Sequence, residues 1–303
     1  MVLLCRLVLV IFLCIFSGQV MALDKLVIAV QPSANPEQLA TQSAEIKAIL
    51  EHEIGMPVEM FFPTNYAGVV EALHYGHAQV AFMGSWPALL ATTKANARVL
   101  LAEVRDVYIG KQKEQQPYYF SYWVVKPESV AQSLKDLKGK KAAFPSQISS
   151  SGFVAPMSRM VELNLMASKN NQPVDPKDYF SDVLFSGGYA QGYEALKAGQ
   201  VDVTVIAGDV PEQLYRDVLD HTRIIETQGP IPSHAVVISQ DVGKELEAKI
   251  KNAFLMFNEP ELVPLMRKFV SGLFVRFQNA DASHLEGLNT MLKLSQIEFT
   301  EKK

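Results

Sequence analysis

Ser149-Ser150-Ser151-Gly152 sets three hydroxyls in a row immediately ahead of a stretch with helical apolar spacing that starts at Phe153. Hydroxyls at a helix start accept hydrogen bonds from the orphan amides there. The same amides, with the positive end of the helix dipole, attract anions. One serine suffices for a cap; three, followed by a glycine that lets backbone approach a ligand, point to an oxyanion cradle. Asn65-Tyr66, Gly84-Ser85-Trp86-Pro87 and Gly187-Gly188-Tyr189 stand at equivalent places, each just before a helical pattern. In the second of these, Ser85 is the expected N-cap and Pro87 an early helical residue. Singly, each is ordinary capping. Converging from several helix starts, they would hold a tetrahedral anion, with roughly 1.5 to 3 kcal/mol for each charge-assisted hydrogen bond.

Signals for catalysis are thin. The six histidines, His52, His74, His77, His221, His234 and His284, include no HExxH, and the His74/His77 pair falls at a helix end near the surface, so no metal site is expected. No GxSxG elbow or GxxxxGK[ST] loop occurs, and the serine run has no base near it in sequence. Residues 135–141, rich in lysine, read as a solvated turn. The expectation is a binding protein without catalytic residues or a cofactor. With 28 basic against 32 acidic residues, the chain is not expected to bind nucleic acid.

The elements that must position these residues follow from hydrophobic pattern. A chain of 303 residues with 49% hydrophobic content can bury one large core or two ordinary ones. It opens with Arg6, an apolar run over residues 7–16, and a small polar stretch leading to Ala22, the layout of a secretory signal peptide cleaved after Ala22. The run is shorter than the roughly 20 residues that span a bilayer. Both cysteines, Cys5 and Cys14, lie within it, so the mature chain would have none. Residues before Cys14 lack the small side chains expected of a lipoprotein, which favours a freely soluble exported protein. Beyond the leader, residues 25–30, 58–62 and 80–83 read as strands, and 37–54 and 66–75 as helices. The alternation restarts with strands at 119–125 and 142–144, a helix at 153–165, a strand at 183–186, a helix at 189–198 and a strand at 201–206. A further strand covers 235–239, and the rest (242–257, 260–269 and 282–294) is expected to be helical.

The two halves also share a phrase. Aligned at Glu71 and Glu194, the stretches 70–85 and 193–209 have in common Glu-Ala-Leu, a Gly three residues on, a Val, and a closing Gly beside a polar residue, Ser85 in one and Asp209 in the other. In open α/β sheets ligands sit outside the carboxyl ends of strands, so two such units suggest two lobes facing one cleft.

Four stretches carry a resemblance to a known family: residues 61–68 (FFPTNYAG), 133–141 (SLKDLKGKK), 149–153 (SSSGF, with Pro156) and 229–232 (GPIP). Over nearly the whole mature chain the sequence resembles the phosphate/phosphite/phosphonate-binding proteins that serve ABC importers, which are type II periplasmic binding proteins. The resemblance implies an α/β fold of two lobes, each a mostly parallel sheet flanked by helices, closing as a hinge on a ligand in the cleft. Lobe one would be residues 24–117 plus 227–303, and lobe two 118–226. It implies that Ser149, Ser150 and Ser151, with Tyr66 and Tyr119, hold the ligand's oxygens, and that Asp209 falls on an acidic position able to meet a ligand amine.

Two departures bear on the ligand. Aminoalkylphosphonate binders carry a histidine where this chain has Tyr189, and an acidic residue where it has His234. A lost carboxylate disfavours an ammonium-bearing ligand, and His234, if protonated, could help hold an anion. The ligand-binding set expected is therefore Tyr66, Ser85, Tyr119, Ser149, Ser150, Ser151, Tyr189, Asp209 and His234, around a small oxyanion with little or no cationic tail. The implied protein is a periplasmic monomer that docks on an ABC permease in the inner membrane. The alternative is a sensory binding protein docking on the ectodomain of a membrane receptor kinase.

Overall fold

The structure, a computed structural model, describes residues 23–31, 36–169 and 172–298; the expected leader and both cysteines lie outside them. The first part of the chain runs β1 (Leu26–Val30), α1 (Pro36–Ile54), β2 (Val58–Phe61), α2 (Tyr66–His74), β3 (Val80–Met83), α3 (Ser85–Lys94), β4 (Ala97–Ile109) and β5 (Gln112–Gln116). The middle is β6 (Tyr118–Val125), β7 (Lys141–Phe144), α4 (Ala155–Glu162), β8 (Asp182–Phe185), α5 (Tyr189–Lys197), β9 (Val203–Ala207), α6 (Glu212–His221) and β10 (Arg223–Pro232). The chain finishes with β11 (Ala235–Ser239), α7 (Lys244–Met256), α8 (Val263–Phe269), β12 (Phe274–Asn279) and α9 (Glu286–Ser295).

Two sheets result. The first has the order β12-β4-β11-β3-β1-β2, with β5 also paired to β4; the second has β10-β6-β9-β7-β8. The expected parallel runs are present as β2-β1-β3 and β8-β7-β9. Antiparallel strands extend both, so the sheets are mixed. β1 shows why its sequence is apolar without alternation. Leu26, Ile28 and Val30 enter one core with residues of α1, α7 and α8, while Val27 and Ala29 enter another with residues of α2 and α3. A strand covered on both faces has no polar side to show.

Several expectations are corrected. Between the expected helices 260–269 and 282–294, where no element was expected, Phe274–Asn279 is strand β12, paired to β4. Strands β4, β5 and β10 and helix α6 stand where the hydrophobic pattern called for no element. The helix expected over 153–165 is a π turn, Ser150–Val154, followed by α4. Residues 227–232, grouped above with the first lobe, pair with β6 in the second sheet. Helix α9 likewise lies against the second sheet's core, since Leu288 and Met291 are buried there with Met157 and Met160 of α4.

The repeated phrase proves to be scaffold at its glycines. Gly76 and Gly199 follow α2 and α5 at φ +71° and +72°, the left-handed conformation in which helices commonly end and which a Cβ strains. In each copy the chain then turns back into a buried strand, β3 or β9, that runs toward the space between the sheets.

Candidate functional site

A cavity of about 180 Å³ lies between the two sheets. From the first sheet's side it is lined by Gln31 after β1, Gly84 to Pro87 at the start of α3, Arg105 on β4, and Ser233 and His234 before β11. The second sheet's side supplies Tyr119 on β6, Ile148 to Ser151 ahead of α4, and Asp209 after β9. Seven of the nine expected site residues, Ser85, Tyr119, Ser149, Ser150, Ser151, Asp209 and His234, therefore meet at one place. Tyr189 reaches it indirectly, through a 2.7 Å hydrogen bond between its hydroxyl and Ser151 Oγ. Tyr66 opens α2, but its side chain lies outside the described residues. Its neighbour Asn65 acts as a plain cap, accepting from the Gly68 amide at 2.8 Å, and lines a separate hollow at the edge of the first sheet.

The serine run divides its work. Ser149 is the cap: its Oγ accepts from the Gly152 amide at 2.9 Å. Gly152 itself is required by packing, since a Cβ there would lie 2.1 Å from Pro145 Cγ; its bareness serves the turn rather than a ligand. Ser151 sits between two phenols, with the Tyr119 hydroxyl donating to its Oγ at 3.2 Å and Tyr189 at 2.7 Å on the other side. Burial pushes both phenols well above their usual range, so they stay protonated. Tyr119 donates to it, and when Tyr189 donates as well, Ser151 has its own hydrogen for an oxyanion. On the opposite wall Gly84, not Ser85, is the N-cap; Ser85 is the first residue of α3 and is buried. The Gly84 amide donates to Gln31 Oε1 at 2.7 Å, which leaves the Gln31 amide NH₂ as a further donor at the rim.

Behind this polar ring is a charged cluster of which the sequence reading supplied only half. Arg105 Nε donates to Glu103 Oε2 at 2.8 Å, Nη1 donates to Asp209 Oδ2 at 2.9 Å, and Nη2 bonds His234 Nδ1. A guanidinium can only donate, so Nδ1 is the unprotonated ring nitrogen and the imidazole hydrogen sits on Nε2. Glu103 Oε2, 3.2 Å from the same Nδ1, is then held by Arg105. Burial, followed by the adjoining Arg105, lowers the His234 pKa from the usual 6.5, so the ring offers a neutral N–H rather than the positive charge considered from sequence. Gly84 leaves it room, since a Cβ there would come within 3.3 Å of Nε2. Burial pushes Glu103 up, but its partners, Arg105 first among them, hold its carboxyl below the usual range. Asp209 goes the other way: burial raises it more than Arg105 lowers it.

Missed from sequence were Gln31, Glu103 and Arg105. The only hint was a pair of opposite charges, Glu103 and Arg105, two residues apart and hence on one face of a largely apolar strand. Chemically, the cavity combines hydroxyl, amide and imidazole donors with a guanidinium already engaged by carboxylates, an arrangement suited to a compact oxygen-rich anion.

Known proteins share this chain's family and its fold. A family described as ABC transporter, phosphonate, periplasmic substrate-binding protein matches residues 28–285. The phosphate-import protein PhnD of Mycolicibacterium smegmatis is 27% identical over 180 residues, 59% of this chain and 54% of that protein. The phosphonates-binding periplasmic protein of Escherichia coli is 23% identical over 217 residues, 69% of this chain and 59% of that one. The fold is also that of a Xanthomonas citri protein bound to ATP (TM-score 0.70, 17% identity, 90% of this chain and 98% of that). PhnD1 of Prochlorococcus marinus with methylphosphonate shares it too (TM-score 0.62, 16% identity, 89% and 97%). No helix among the described residues is long and apolar enough to cross a membrane. On the family match, which covers most of its length, this chain belongs to the family of periplasmic substrate-binding proteins of phosphonate ABC transporters.

Proposed function

We propose that this chain is an exported solute-binding protein that captures a small phosphorus oxyanion, a phosphonate, phosphite or phosphate without a cationic tail, and hands it to an ABC permease in the inner membrane. The observation that carries the reading is the convergence of Ser85, Tyr119, Ser150, Ser151 and the neutral His234 on one cavity of about 180 Å³, next to a carboxylate, Asp209, that already has its cation in Arg105. Tetrahedral oxygens can receive hydrogen bonds from both walls at once, which also gives the ligand a reason to draw the walls together. Asp209, raised by burial, can take or share a proton beside an oxyanion instead of repelling it.

The test is a thermal-shift panel on the purified protein with phosphite, methylphosphonate, phosphate and sulfate. A ligand present at about 100 times its dissociation constant should add roughly 2.7 kcal/mol of stability. At least one phosphorus oxyanion is expected to stabilise the protein more than sulfate does, with Ser150→Ala and Tyr119→Phe each lowering its affinity about tenfold or more. If no phosphorus oxyanion raises the unfolding temperature, the reading is wrong. If both substitutions leave affinity unchanged, the site is wrong.

A further inference from the structure

We propose that Arg105 is a specificity-determining residue: a resident cation, held by Glu103, His234 and Asp209, that makes the cleft accept phosphorus oxyanions with a neutral substituent or none and reject those carrying an amine. The inference rests on the phosphorus-oxyanion reading above and deepens it. Arg105 lines the cavity and is only 5% exposed. Of the cluster's two carboxylates, Asp209 faces the cavity; Glu103 is fully buried and is not among the cavity's described lining residues. A ligand ammonium would thus find one carboxylate within reach, and that one is already bonded to Arg105 Nη1 at 2.9 Å. In a cavity this small, the ammonium would also lie close to the guanidinium, whose burial leaves the repulsion weakly screened. An oxyanion meets the opposite situation. The bonds to Glu103, His234 and Asp209, with Nη2 also 2.8 Å from Glu103 Oε2, leave one Nη1 hydrogen of the five guanidinium N–H groups for a ligand oxygen. The triple hold also keeps the fork from swinging aside to make room, as a lysine ammonium with its single flexible stem would.

A matched pair of ligands isolates the effect. Propylphosphonate and 2-aminoethylphosphonate have tails of equal length and differ by a methyl against an ammonium. Calorimetric titration of the purified protein should show the wild type binding propylphosphonate at least tenfold more tightly. Arg105→Ala frees Asp209 and empties the place of the guanidinium, and should reverse the order in favour of the amine. Arg105→Gln, neutral but still a donor, serves where Arg105→Ala does not fold, and should narrow or reverse the preference. Asp209→Asn leaves the cation without its cavity-facing carboxylate and should keep or widen the wild-type order. A wild type that binds the amine as well as or better than the propyl compound overturns the proposal. So does a folded Arg105→Ala or Arg105→Gln protein that keeps the full wild-type preference. Failure to bind either compound, together with failure to bind phosphite, methylphosphonate and phosphate, would instead remove the oxyanion reading, and this proposal with it.

Discussion

His234 shows how much of the site turns on a single proton. With Nδ1 taken by Arg105, protonation would have to break that bond or place two cations together, and burial works against it as well. The sign for stability follows. The folded-state pKa lies below the unfolded 6.5, so the unfolded chain binds the extra proton first, and stability falls as pH drops below about 6.5. His284, half-buried with Nε2 3.2 Å from the Ser233 carbonyl, is also lowered by burial and adds in the same direction. Glu103, lowered by its partners, adds a further loss as pH falls through the carboxylate range. Against an opposing gain from Asp209, raised by burial, stability and with it the unfolding temperature is expected to decline between pH 7 and pH 5, with at most about 1.4 kcal/mol of stability lost per pH unit for each histidine. His234→Gln should flatten that decline; a profile that is flat in the wild type, or unchanged by the substitution, contradicts the assignment. The serine hydroxyls were legible because capping chemistry is local: a serine run before a helix says what it is within five residues. The cluster was not, because residues 103, 105, 209 and 234 are neighbours only after two sheets have formed.

Among the elements, β4 does most to join the two halves, and it left the weakest mark in the sequence. Its 13 residues carry Arg98, Glu103, Arg105 and Asp106 among apolar neighbours, a mixture that hides a strand. β10 and β12 escaped for a related reason, being only partly buried and polar at several positions. By contrast β1, β3 and β11 are buried throughout and could be read directly. The far end of β4, paired with β5 on one side, also reaches the second sheet: Tyr108 N donates to Gly208 O at 2.7 Å, and Gly208 N donates to Phe120 O at 2.8 Å. The Tyr108 ring stacks on Tyr215 of α6 at 4.6 Å, and Tyr215 donates to the Gly110 carbonyl at 2.8 Å. The closing glycine of the repeated phrase is thus the point of contact between backbones, and a Cβ on Gly208 would stand 2.2 Å from the Tyr108 carbonyl oxygen. Gly208→Ala must push the two strands apart. The expected cost is about 2 to 3 kcal/mol in urea unfolding, with a loss of ligand affinity because Asp209, the next residue, moves off Arg105. A variant as stable as the wild type would show that the contact is slack.

At the scale of the molecule, the two sheets are joined by more than the chain segments that pass between them. The Arg105–Asp209 ion pair crosses the cleft, and Trp86 of α3, on the first sheet's side, is buried in the cluster that forms the second sheet's core. Hinge opening would have to withdraw Trp86 from that cluster into water, whereas ligand binding, by engaging both walls, would favour its burial. Trp123 provides the internal contrast. It is fully buried within the second sheet, stacked on Phe180 and edge-on to Phe144, so its surroundings stay the same whether the cleft is open or closed. In a Trp123→Phe variant, adding a bound oxyanion should shift the remaining Trp86 emission to shorter wavelength, with a midpoint matching the calorimetric affinity. In Trp86→Phe the Trp123 emission should not move. A silent Trp86 alongside measurable binding would mean that the walls do not move relative to each other, and that the cavity fills without closing. A response from Trp123 instead would place the motion inside the second sheet rather than between the two.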